Sequence, residues 1–247
     1  PIWYQTLDAI FHDGVEIRIN ETETLRVSAK FCDLADRYEP DVFRHLLEEI
    51  RPKDTVVEVG GYVGIYTIPM AKRLEPPGRV IVLEPDPDNY AALTKHLTMN
   101  QVRDRTVALP FAADTEKGDV SFSRQAFSSS YVLPHTDANA RRVRAVTVDS
   151  ICSGMRVDIL KLDVEGYEER VLLGARDLLF CKSRCPRAIY VEVHPQFWPR
   201  YGTNAASLLK LLKEAGYEPS FLDGMPVSNI ENYGEIVARK RENREPR

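Results

Sequence analysis

Short apolar runs rich in β-branched residues alternate with runs of helical period along most of this chain, and no other feature narrows its fold as far. Residues 55–59, 79–83, 106–112, 157–163 and 188–193 read as strands, with 217–222 and 235–239 as the last two. Between them, residues 64–74, 87–99, 167–180 and 205–215 space apolar side chains three and four apart, as a helix does. Parallel neighbours need crossover connections, and a helix is the usual crossover. The alternation therefore predicts an α/β fold of Rossmann-like form, a mostly parallel sheet with helices on both faces.

The flanks carry less. In residues 1–37, two alternating stretches at 15–19 and 24–27, with Asn20 and Glu21 between them, predict a small β-hairpin-like extension. Pro40 then precedes the amphipathic set Val42, Phe43, Leu46, Leu47 and Ile50, which ends at Arg51-Pro52. Residues 120–123 start an extra strand and 143–148 alternate again, on either side of a polar, Ser-rich stretch at 123–139. No internal repeat or linker divides the chain, so 38–240 reads as one domain and 241–247 as a flexible tail.

A length of 247 residues with 43% hydrophobic and 28% charged content is that of a globular protein with a sizeable core. The net charge of −4 speaks against nucleic acid as a partner. Arg141, Arg142 and Arg144 read as a solvated face, and the basic residues of 239–247 as a frayed end. No apolar run approaches the roughly 20 residues that span a bilayer, and no secretory pattern opens the chain. Cys32, Cys152, Cys181 and Cys185 lack a second Cys or His pair for zinc and read as free thiols of a cytoplasmic protein. A small-molecule partner is expected; self-association stays open.

Ligands of open α/β sheets sit beyond the carboxyl ends of the strands. There the first core strand runs through Glu58-Val59-Gly60-Gly61-Tyr62-Val63-Gly64 into a helix, so bare backbone and helix N–H groups face a ligand. A dinucleotide fingerprint needs glycine at 60, 62 and 65, but Tyr62 and Ile65 stand there. The spacing is instead Glu-x-Gly-x-x-x-Gly, the form associated with S-adenosylmethionine enzymes. The next strand ends in Glu84, 24 residues after Gly60, where an acid can accept both hydroxyls of a ribose. Asp114, after the third strand, is a candidate for an adenine amino group, or a plain turn residue.

Further motifs follow in order: Tyr38-Glu39-Pro40, Val82-Leu83-Glu84-Pro85, Ala113-Asp114, Val146-Thr147-Val148-Asp149, Lys161-Leu162-Asp163-Val164-Glu165-Gly166-Tyr167-Glu168 and Val191-Glu192-Val193-His194-Pro195. Together they resemble the FkbM-type methyltransferases over roughly residues 35 to 200, and the Lys161–Glu168 block is the most specific of them. The chain departs from that pattern at Glu58 and Tyr62, where the family usually carries Asp and Asn. The resemblance implies a class I methyltransferase domain at 38–240 that uses S-adenosylmethionine. It also implies transfer to a hydroxyl of a sugar or other natural-product-like acceptor. The cofactor set it suggests is Glu39, Glu58, Gly60, Tyr62, Gly64, Thr67, Glu84, Asp114 and Asp163.

Methyl transfer to a hydroxyl needs alignment and removal of a proton. Asp163 and Glu165 leave one strand end, Glu192 and His194 another, each pair on one face if the backbone stays extended. Three readings stay open. His194 or Asp163 is the general base, with Glu165 beside it. Alternatively Asp163, Glu165, Glu192 and His194 hold a divalent cation such as magnesium or calcium that acidifies the acceptor. In the third, His194-Pro195 turns the chain and Glu165 caps a helix. Ser128, Ser129, Ser130 and Tyr131 suit an acceptor wall or a surface loop, and Phe197, Trp198 and Tyr201 suit a pocket or loop packing. Two rivals remain: a domain that binds the cofactor without turnover, and a nicotinamide-dependent oxidoreductase.

Overall fold

The computed structural model describes residues 12–34, 38–123, 131–133 and 140–241. Residues 1–11, most of the tail from 241 onward and Ser128–Ser130 of the expected acceptor wall lie outside them. β1 (Val15–Arg18) and β2 (Thr24–Val27) form the expected antiparallel hairpin, and α1 (Pro40–Glu49) follows. The alternating region then gives β3 (Thr55–Val59), α2 (Thr67–Lys72), β4 (Arg79–Leu83), α3 (Pro87–Met99) and β5 (Thr106–Leu109). Four short strands come next: β6 (Ala112–Ala113), β7 (Gly118–Ser123), β8 (Tyr131–Val132) and β9 (Arg141–Val146). The second half holds α4 (Val148–Ile151), β10 (Ile159–Leu162), α5 (Glu168–Leu173), α6 (Arg176–Phe180) and β11 (Ala188–Val193). It closes with α7 (Ala205–Glu214), β12 (Tyr217–Phe221) and β13 (Gly234–Lys240).

The central sheet runs β12-β13-β11-β10-β3-β4-β5. Neighbours from β11 to β5 are parallel, and only β13 runs against its neighbours. Period-two alternation splits its side chains between two cores. Val57, Val59, Leu160, Leu162, Ile189 and Val191 pack with Val171, Leu172, Leu208 and Leu212 of α5 and α7. Val56, Val80, Val82 and Ile159 pack on the other side with Phe43, Leu46, Ile68, Leu93 and Leu97 of α1, α2 and α3, under the hairpin. Each such side chain taken from water contributes roughly 1.5–3 kcal/mol, so helices cover both faces. Local signals close the elements: Asn204 and Ser207 form a reciprocal capping box at the start of α7, and the Asp86 carboxylate accepts N–H bonds at the start of α3.

Several boundaries differ from the pattern. The run 106–112 is not one strand. β5 stops at Leu109 because Pro110 has no N–H for the ladder, and β6 pairs with β9 in a separate sheet of order β6-β9-β7-β8. The helix expected over 64–74 is regular only from Thr67 to Lys72. The helix expected over 167–180 is two, broken at Gly174-Ala175, where a Cβ on Gly174 would meet the Asp114 carbonyl oxygen at 2.0 Å. The strand expected over 143–148 ends at Val146, because the Thr147 side chain caps α4. No described helix is long and apolar enough to cross a membrane.

Candidate active site

A cleft opens at the carboxyl ends of β3, β4 and β10. Val59, Gly60, Tyr62, Glu84, Ala113, Tyr131, Asp163, Glu165 and Tyr167 are among the residues that line it. Gly60 has φ +92, and a Cβ there would lie 1.8 Å from the Asp163 carbonyl oxygen, so the turn requires glycine. Its N–H and that of Gly61 both donate to the Leu83 carbonyl, which ties the turn to the end of β4.

Glu84 reaches the cleft as expected. Its carboxylate accepts the Tyr62 N–H at 2.7 Å and the Asp86 N–H at 2.9 Å. Burial raises its pKa to about 8 against the help of those N–H groups, with Asp86 adding repulsion. Four described non-glycine residues have left-handed backbone, and Glu39, Tyr62 and Glu165 are three of them. Strain of this kind persists where the surrounding structure over-determines it, as active sites do.

Not every expected cofactor residue enters the cleft. Glu58 is buried beneath it, and its carboxylate accepts from the Thr67 hydroxyl at 2.5 Å; burial lifts its pKa to about 7, against the pull of Lys161. Gly64 packs under Leu93 and Ile68. Glu58, Gly64 and Thr67 thus build the turn from below. Asp114 also lies outside the cleft lining. Its carboxylate is held by Arg170 at 2.8 Å and by the Thr115 N–H, and it faces a neighbouring hollow rather than the cleft.

The residues expected on the acceptor side converge. On the face of the sheet toward α1, Glu58, Lys161, Glu192 and Glu235 fall on adjacent strands, with Lys161 in register with Glu58 and Glu192 with Glu235. Lys161 is 1% exposed; its ammonium lies 3.9 Å from the Asp163 carboxylate and 4.2 Å from the Tyr66 ring centroid. Glu39 accepts from the Tyr66 hydroxyl at 2.5 Å and the Tyr233 hydroxyl at 2.9 Å, and Tyr233 also lies 2.5 Å from Glu192. Glu39 is therefore a strap across the edge of the site. Burial and Asp163 raise the Glu192 pKa to about 8.

His194 sits one layer behind the cleft wall. Its Nε2 is 3.6 Å from Glu165 and 3.7 Å from Glu192, and its Nδ1 is 2.8 Å from Glu168. Asp163, Glu192 and His194 each bring one ligand-type atom within 4.8 Å of the others. Burial opposes the charged imidazolium, but the bond to Glu168 and the charges of Glu168, Asp163 and Glu165 outweigh it and set the His194 pKa at about 9. Trp198 does not line the cleft: its indole N–H donates to Glu168 at 2.8 Å.

The Methyltransferase FkbM domain matches residues 58–219, more than half of the chain. This chain belongs to the FkbM methyltransferase family. The hexuronic acid methyltransferase AglP of Haloferax volcanii is 25% identical over 182 residues, 72% of this chain and 70% of that protein. The crystal structure of methyltransferase FkbM from Methylobacillus flagellatus aligns at a TM-score of 0.51 and 16% identity. That alignment covers 77% of this chain and 44% of the other, and it supports the class I methyltransferase fold.

Three residues of this candidate site escape a reading of the sequence. Glu168 belongs to a recognisable block, yet only folding brings it to His194, 26 positions away. Tyr233 precedes the last strand and reaches Glu39, 194 positions away, with no local pattern to announce it. Lys161 reads as one polar residue in an apolar strand; its role as the buried counter-charge appears only when β3, β11 and β13 are placed around it.

Proposed function

We propose that this methyltransferase uses S-adenosylmethionine and methylates a hydroxyl on a sugar or similar natural-product-like small molecule, in the cytoplasm. One observation carries the reading: a Glu84-lined cleft with a bare-backbone turn at Gly60 lies next to a histidine held by a buried carboxylate. The residues suit the donor. Gly60 offers the close approach that a side chain would block, and Glu84 offers a carboxylate to ribose hydroxyls. Tyr62 and Asp163 border the same space. When bound, the donor supplies an electrophilic methyl group on a positively charged sulfur.

The chain's own work is on the acceptor. Glu168 accepts the hydrogen bond of Nδ1–H, so the neutral imidazole presents its lone pair at Nε2 toward Glu165. Glu165, on the cleft wall, takes the acceptor's hydroxyl proton and passes it to Nε2 behind it. A sugar-like acceptor is supported by the kinship with AglP, named as a hexuronic acid methyltransferase. The four free thiols agree with a reducing compartment.

A second reading places a divalent cation at Asp163, Glu192 and His194, and their convergence favours it. Against it, Lys161 already sets a buried positive charge among these carboxylates.

The deciding experiment is calorimetric titration with S-adenosylhomocysteine, followed by transfer of labelled methyl groups to a panel of saccharides. Binding with transfer supports the proposal. Binding without transfer to any of a broad panel favours a non-catalytic binder, and no binding removes the donor assignment.

A further inference from the structure

Beside the cleft lies a second hollow of about 350 Å³, which shares Val132 and Tyr167 with it. Three guanidinium groups line this hollow, those of Arg142, Arg170 and Arg200, against the carboxylates of Asp114 and Asp119. Two of the three are committed. Arg170 is bound to Asp114 at 2.8 Å and to the Tyr167 hydroxyl at 2.7 Å, and Arg142 lies 3.6 Å from Asp119. Arg200 has no carboxylate partner among the described residues, so the hollow keeps one uncompensated positive charge.

That charge is held in place by rings. The Arg200 guanidinium lies 4.8 Å from the centroid of Tyr131 and 4.7 Å from that of Phe197. These two rings are themselves stacked, at 6.4 Å and 16°. Phe197 is stacked in turn on the imidazole of His194, at 6.1 Å and 19°. Phe197 is seated by Gly166, where a Cβ would meet its own Cβ at 2.5 Å. The series Tyr131, Phe197, His194 therefore joins a positively charged rim to the group that receives the proton.

An aromatic face offers a flat apolar surface to a sugar ring, and a guanidinium fork matches the oxygens of a carboxylate or phosphate. We propose that Arg200, with Tyr131 and Phe197, forms a subsite for an anionic substituent of the acceptor, so that the acceptor is an acidic sugar rather than a neutral one. This deepens the proposed function and rests on it. The shared chemistry is a monoanion or dianion on a saccharide, either a carboxylate or a phosphate.

The test is calorimetric titration of the full chain with glucuronic acid, glucose 6-phosphate and glucose, each with and without S-adenosylhomocysteine. At least one anionic sugar is expected to bind about tenfold or more tightly than glucose. The glucuronic acid and glucose 6-phosphate arms tell the two sources of charge apart. Arg200→Gln is expected to abolish the preference while leaving affinity for S-adenosylhomocysteine unchanged; Arg200 is exposed, so the variant should fold. Equal affinity for the three sugars, binding of none, or a preference that survives in Arg200→Gln overturns the subsite. Failure to bind S-adenosylhomocysteine counts instead against the donor assignment, since the sugars are also titrated alone.

Discussion

Nδ1 of His194 lies 2.8 Å from Oε1 of Glu168, a carboxylate with no exposure to solvent. Glu168 is itself fixed by two further donors, the Trp198 indole N–H at 2.8 Å and the Gly166 N–H at 2.9 Å. A group so constrained selects one imidazole tautomer and one ring orientation, the part that a carboxylate plays behind a catalytic histidine. Glu168→Gln keeps the shape but exchanges an acceptor for a donor. Turnover is expected to fall about a hundredfold or more, with affinity for S-adenosylhomocysteine near that of the wild type. Steady-state kinetics beside calorimetry checks this, and an unchanged kcat would reduce Glu168 to a packing role.

The same carboxylates set a pH dependence. They hold the His194 pKa at about 9, so at neutral pH most imidazole is charged and cannot accept a proton. kcat is therefore expected to rise from pH 7 toward 9 and to level off above it, and His194→Gln should lower kcat and flatten the rise. A wild-type profile already flat across this range would show that Nε2 is not the proton acceptor.

Glu84 makes an independent prediction on the donor side. Its pKa is raised by burial from 4.5 to about 8, whereas ribose hydroxyls would donate to its ionised form. Binding should thus release protons near pH 7, and affinity should climb with pH until about 8. Calorimetry in two buffers of different ionisation enthalpy measures the release directly. The sign for stability is opposite: the folded state keeps a proton that the unfolded state loses, so the ligand-free protein should lose stability as pH rises from 4.5 to 8. Glu84→Ala should weaken S-adenosylhomocysteine binding and remove the proton release; wild-type affinity in that variant would dismiss the ribose assignment.

The cation reading has its own discriminating test. If Lys161 supplies the positive charge among Asp163, Glu192 and Glu235, dialysis against a chelator should leave turnover unchanged, and added magnesium should not raise it. Loss of activity on chelation, restored by one divalent ion, would favour the cation instead.

The central sheet is legible in the sequence because its strands are buried on both faces and bounded by strong punctuation. Residues 55–59 and 79–83 are apolar runs closed by Gly60 and Pro85, and α3 spans 87–99 as its apolar spacing predicts. The second sheet is less legible. β6 has two residues, and only its pairing with β9 makes it a strand. The same divide runs through the site. Gly60, Glu84, Asp163 and Glu165 sit at strand ends, where topology alone directs them to the cleft. Asp114 also leaves a strand end, but Arg170, 56 residues on, pairs with its Oδ1 beside a neighbouring hollow, and a long-range contact of that kind has no local signature.

Gly60 separates a requirement of backbone from one of chemistry. Alanine there faces two penalties at once, a left-handed backbone at φ +92 and a Cβ driven to 1.8 Å from a main-chain oxygen that cannot swing aside. Strain and overpacking together should destabilise by about 2–5 kcal/mol, lowering Tm by roughly 5–15 °C in a chain of this size. Gly118→Ala is the matched control, since a Cβ at Gly118 meets nothing within 4 Å and its Tm should stay within a degree or two, roughly the effect of a neutral surface change. Relief of the clash would require Asp163 to retreat, which moves a cleft residue. Gly60→Ala protein that remains folded at low temperature should therefore bind S-adenosylhomocysteine more weakly than the control. If both variants melt alike, the close approach of the β3 turn to Asp163 is not what holds the cleft together.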